Sequence, residues 1–205
     1  MPIPCACHKH SLPRQQPLGR LACRWLPALL AAVLGGGVLL PYRYALTAQP
    51  PTPKLVLKAT AFAPDGLIPK QFTCSGVDAS PALSWSDPPP GTVSFALIMD
   101  DPDAPRGTFV HWVIYNLPAS LRQLPQGVPD GETLASGGTQ GENDFPKTGY
   151  GGPCPPPGKP HRYFFRLYAL DTMLKLASPG HRKDLDEAMK GHVLAKGELM
   201  GRFGR

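Results

Sequence analysis

Apolar positions along the chain fall into distinct patterns, and each predicts a different element. Phe95-Ala96-Leu97-Ile98-Met99 is continuous, so Thr92 to Asp100 predicts a strand buried on both faces. Phe109 to Leu117 and His161 to Leu170 are β-branched and aromatic and predict two more strands, while Leu55 to Thr60 alternates well enough for a first one. Helical spacing is found at Asp184 to Lys190, where Leu185 and Met189 stand at i and i+4, acids come early and Gly191 suits the end. Val193 to Met200 reads as a further short segment, helical or strand. Phe72 to Gly76 opens a loop that ends in Ser80 to Trp85, and Pro88 to Gly91 is a turn. Residues 118–148 have little periodicity and many Gly, Pro, Ser and Thr, so they predict a long surface excursion. Strands outnumber helices and no β-α-β alternation or internal repeat is present. The predicted class is mainly β, an antiparallel β-sandwich with peripheral helices.

One apolar run does not belong to that pattern. Trp25 to Leu40 is uncharged over sixteen residues and follows a basic leader. Residues 1–53 carry Lys9, Arg14, Arg20, Arg24 and Arg43 and no acid, so most of the formal charge of +6 lies there and the remainder is nearly neutral. A nearly neutral domain lacks the clustered positive face that nucleic acid requires. The expected organisation is an export segment at 1–48, a Pro-rich linker at 49–53 and one domain at 54–205. Ala45-Leu46-Thr47-Ala48 offers small residues for cleavage, whereas Tyr42-Arg43-Tyr44 suits a membrane interface. Signal peptide and signal anchor both stay open. Either way the domain is expected outside the cytoplasm, periplasmic or extracytoplasmic, touching a membrane only through this segment.

Cys5, Cys7, His8 and His10 offer ligands for a soft metal but match no closed zinc spacing, and they sit in the targeting segment. Cys23 precedes the apolar run and does not look lipidated. Cys74 and Cys154 remain, two loop cysteines in a compartment that permits disulfides, and are the candidate bridge.

Candidate chemistry collects at strand ends. Asp100-Asp101-Pro102-Asp103-Ala104-Pro105 terminates one strand, because prolines cannot donate to the ladder. His111 lies near the start of the next, although a lone histidine on a strand is more often simply packed. The run Gly149 to Pro160 combines glycines that admit close backbone approach with prolines that hold an extended shape, and it delivers His161 and Tyr163 to one strand face. Asp101, Asp103, His111, His161 and Tyr163 thus converge in expectation on one cavity. Two imidazoles, a phenol and backbone donors suit a phosphate or carboxylate, with the aspartates orienting the imidazoles and favouring their charged forms. No nucleophile-elbow, zinc-protease or P-loop motif is present. A hydrolase built on an Asp–His pair is the alternative.

Asp101-Pro102-Asp103-Ala104-Pro105, His111-Trp112, Gly152-Pro153-Cys154-Pro155-Pro156 and His161-Arg162-Tyr163 closely resemble, in order and spacing, the motifs of the phosphatidylethanolamine-binding protein family. The likeness runs from about Leu55 to Phe203 and is nearest the bacterial and archaeal Raf-kinase-inhibitor-like branch. It implies a central antiparallel sandwich and a small anion pocket lined by Asp101, Asp103, Ala104, Pro105, His111, Gly152, Pro156, His161 and Tyr163. It implies a binding module for phosphate or a phosphorylated headgroup that acts as an inhibitor or regulator of a protein target, without a cofactor. Three features depart from the family: the export segment, a C-terminus reading Gly201-Arg202-Phe203-Gly204-Arg205 without the expected tyrosine, and Cys154 where some relatives have glycine.

Overall fold

The computed structural model describes residues 53–205 except residue 178. The apolar run, its basic leader and the Cys5, Cys7, His8, His10 cluster lie outside the described residues. Among these, the strands are β1 (Leu57–Ala59), β2 (Leu83–Trp85), β3 (Ser94–Asp101), β4 (Phe109–Pro118), β5 (Gln123–Leu124), β6 (Thr139–Gln140), β7 (His161–Leu170) and β8 (Val193–Phe203). A single α-helix, α1, spans Arg182–Ala188, and Lys70–Phe72 forms one 3-10 turn. No described helix is long and apolar enough to cross a membrane.

The continuous apolar run explains why β3 is central. It lies between β4 and β7 in a five-stranded antiparallel sheet of order β6-β4-β3-β7-β8. Successive side chains point to opposite faces of a strand, so both faces of β3 are covered. Phe95, Leu97 and Met99 pack with Phe165, Leu167 and Ile114 against Leu57, Leu83, Trp85 and Leu124 of a second sheet of order β1-β2-β5. Ala96 and Ile98 face the other way, into a cluster with Val113, Tyr115, Leu185 and Met189, where α1 caps the sheet. Each fully buried Phe, Leu or Ile contributes about 1.5–3 kcal/mol relative to its exposed state.

Two differences from the sequence expectation, and one alternative it left open, have physical causes. The helix starts at Arg182, two residues before Asp184, because Arg182 pairs with Asp100 of β3 at 2.7 Å and with Asp186 at 2.7 Å. Leu83 to Trp85 is a strand, not the end of a loop; three residues among prolines are too few to display a period. Val193 to Phe203 is entirely strand. Its outer edge is overlaid by the preceding chain: Leu55 N–H donates to Lys196 O (2.8 Å), Ile68 N–H to Arg202 O (2.8 Å) and Asp65 N–H to Met200 O (2.9 Å). Gly197 makes that approach feasible, since a Cβ there would stand 2.9 Å from the Leu55 carbonyl oxygen.

Candidate functional site

β3 runs antiparallel to both neighbours, so its C-terminal end lies beside the starts of β4 and β7. Alternation then separates two adjacent carboxylates. Asp100 turns toward α1 and pairs with Arg166 and Arg182. Asp101 turns to the opposite face, where its Oδ2 lies 2.7 Å from His161 Nδ1 and its Oδ1 accepts the Asp103 N–H at 2.8 Å.

His111 reaches the same place through a β-bulge. Met99 pairs with Trp112 but Asp100 pairs with Val110, leaving His111 as the extra residue on β4. A bulge re-aims the side chain it carries. The ring lies edge-on to Tyr163 at 5.2 Å and beside Phe109 and Phe145 at 5.1 and 5.4 Å. His111 Nδ1 donates to the Gly151 carbonyl at 2.6 Å, and the Gly151 N–H returns a bond to the His111 carbonyl at 2.9 Å. Burial pushes this imidazole below its ordinary 6.5, outweighing the carbonyl and the Asp101 charge that favour protonation. The expected pull of the aspartate toward a charged imidazole is present at His111 but is outweighed by burial. With Nδ1–H committed to a carbonyl, its Nε2 is left as an acceptor.

A cavity of about 500 Å³ opens beside these rings. From the expected set it is lined by Asp101, Ala104, Pro105, His111, Pro156 and His161. Three expected residues lie off it. Asp103 turns to Arg162, accepting from its backbone N–H (2.9 Å), Nε (2.9 Å) and Nη2 (2.6 Å), and that guanidinium holds its carboxyl at about 2. Tyr163 is buried beneath His111, its hydroxyl near the Asp101 carboxylate but without a well-formed hydrogen bond; burial first, then that negative charge, push its pKa upward. Gly152 lies behind the wall, donating to Asp78 Oδ1 at 2.8 Å. A Cβ at Gly152 would stand 2.2 Å from that oxygen and 2.4 Å from the Phe72 carbonyl.

The wall is fastened to the loop after Phe72. Cys74 and Cys154 form a disulfide with Cα atoms 5.4 Å apart, Cys74 N–H donates to Pro153 O at 3.2 Å, and the Tyr150 hydroxyl donates to Phe72 O at 2.7 Å. On the far side Arg205 Nε donates to Pro155 O at 2.6 Å.

The remaining lining was not anticipated. Arg106, Gly107, Thr108 and Phe109 follow the proline-rich strand end, and Asp144 and Phe145 come from the long excursion. Asp144 docks by accepting the Val110 N–H at 2.7 Å and donating its own N–H to Val110 O at 3.0 Å, which extends the edge of β4 beyond β6. Phe145 packs on Phe109 at 4.7 Å. The signal available in the sequence was Phe145, the one aromatic in residues 118–148. Among the described residues no group of three or more His, Cys, Asp or Glu side chains is placed to hold a metal ion.

A sandwich whose central strand ends in an Asp–His pair under a proline wall defines a small-ligand pocket on a β scaffold. A family model described as phosphatidylethanolamine-binding protein matches residues 58–204, and the chain belongs to that family. The UPF0098 protein of Methanothermobacter thermautotrophicus is 50% identical over 149 residues, covering 73% of this chain and 98% of its own. Its counterpart in Aquifex aeolicus is 50% identical over 140 residues, covering 67% and 81%. Among solved structures, the phosphatidylethanolamine-binding protein homolog CT736 of Chlamydia trachomatis superposes with a TM-score of 0.68 at 38% identity, covering 74% of this chain and 98% of that one. E. coli YbcL, described as a member of the mammalian PEBP family, superposes with a TM-score of 0.69 at 31% identity, covering 74% and 99%.

Proposed function

We propose that this protein is an exported binding module for a phosphate-sized anion or a phosphorylated headgroup, acting as a regulator or inhibitor of another protein. The observation that carries the ligand reading is His161. Fixed through Nδ1 by the buried Asp101 at 2.7 Å, it has Nε2 left for the cavity that it shares with His111. A protonated His161 is a cationic donor whose counter-charge is already in place, so an anion there gains a charge-assisted hydrogen bond without reorganising the site. Export rests on the basic leader and the sixteen-residue apolar run. The regulatory role rests on family membership alone.

Titration of the purified chain with inorganic phosphate and with phosphorylethanolamine, followed by histidine NMR resonances, tests the ligand reading. The His161 and His111 resonances move in saturable fashion, and His161→Ala abolishes the shift of His111 while the fold persists. Resonances unmoved at millimolar ligand would end the proposal. The same Asp–His pair is the arrangement of a general base, so a screen of phosphoesters, esters and peptides accompanies the titration. Turnover lost in both Asp101→Asn and His161→Ala would replace binding with hydrolysis as the function.

A further inference from the structure

Without Arg106, the charges on the cavity lining do not attract an anion. Asp101 brings a negative charge that balances His161 when that ring is protonated. His111 spends its Nδ1–H on the Gly151 carbonyl, and burial disfavours its charged form. Asp144 adds a second carboxylate, with only its Oδ2 engaged, by the Val110 N–H. Arg106 stands against these. It is the one Lys or Arg on the lining among the described residues, it is exposed, and no hydrogen bond or ion pair engages its guanidinium. Of the other arginines near the pocket, Arg162 is paired with Asp103, and Arg205 lies off the lining with its Nε on the Pro155 carbonyl. Its backbone is held in a tight turn, closed by the Gly107 N–H donating to Ala104 O at 3.1 Å, so the side chain starts from a fixed point on the wall.

We infer that Arg106 is the charge anchor of the site: its guanidinium binds the anion's oxygens while His161 Nε2 donates from the floor. This rests on the anion-binding reading and adds to it a residue and a selection rule. A guanidinium presents two parallel N–H donors that match two phosphoryl oxygens, which a lone imidazole cannot do. Asp144 is the opposing element. Its open oxygen repels a bare anion on the same lining, so the site's preference is set by the balance between Arg106 and Asp144.

The test is phosphate binding to the full chain, measured by NMR titration at two salt concentrations, for the native protein, Arg106→Gln, Arg106→Lys and Asp144→Asn. Arg106→Gln weakens phosphate about tenfold and flattens the salt dependence, because one charge-assisted contact and one long-range attraction are lost together. Arg106→Lys keeps the salt dependence but only part of the affinity, since a point charge replaces the fork. Asp144→Asn strengthens phosphate binding, on the order of threefold, and a merely structural role for Asp144 would not do so. Equal phosphate affinity and equal salt slope in native protein and Arg106→Gln would overturn the inference while leaving anion binding intact. No phosphate binding by the native protein would overturn both.

Discussion

At the scale of single residues, His111 links packing to pH. Its folded pKa lies below the unfolded 6.5 because burial disfavours the charged ring. Its contribution to stability is therefore complete above about pH 6.5 and is lost as pH falls below that value toward the folded pKa. Urea unfolding at pH 7.5 and pH 5 should show lower stability at pH 5, and His111→Gln should shrink the difference. Asp103 has the same sign in a lower window: with a folded value of about 2 against 3.8, its contribution is present above 3.8 and lost as pH falls to about 2. The effect is small, because the Arg162 pair is partly exposed and screened. Gly152→Ala is more severe. The new methyl meets backbone at Phe72 and a carboxylate at Asp78, neither of which yields cheaply, so a loss of about 1–3 kcal/mol is expected by thermal melting.

At the scale of elements, β3 and the strands beside it carry the fold. Leu97→Ala deletes a fully buried side chain between the sheets and should cost about 2–5 kcal/mol in denaturant unfolding, and Leu185→Ala should detach α1 at similar expense. These elements were legible because their patterns are long: the apolar block of β3, the aromatic run of β7, the i, i+4 pair of α1. Asp101 and His161 were legible for the same reason, as charged or polar residues standing where an unambiguous strand begins or ends. Asp144 and Phe145 were not. They reach the pocket because Asp144 bonds Val110, 34 positions earlier, through its carboxylate and its own N–H, and local spacing cannot express a contact of that range. The bulge at His111 was equally hidden, since it exists only in the register of two strands. Asp103 misled because its neighbour in space, Arg162, was read only as part of a strand.

For the whole molecule, the disulfide joins positions 80 apart and ties the pocket wall to the loop after Phe72. Thiol counting on the unfolded, unreduced chain should find Cys74 and Cys154 oxidised; two free thiols there would contradict the bridge. In the chain-entropy model a loop of that size stabilises by about 4 kcal/mol, so a Cys74→Ser, Cys154→Ser variant should unfold at markedly lower denaturant.

The cover over β8 bears on how such molecules behave among themselves. An unpaired strand at the rim of a sheet is a template on which a second chain can add. Here the donors of Leu55, Asp65 and Ile68 already occupy the Lys196, Met200 and Arg202 carbonyls, and the opposite rim, β6, is two residues long. Among the described residues a crowding neighbour therefore finds one rim of the five-stranded sheet largely overlaid and the other very short, which disfavours edge-to-edge addition there by a means unrelated to the pocket.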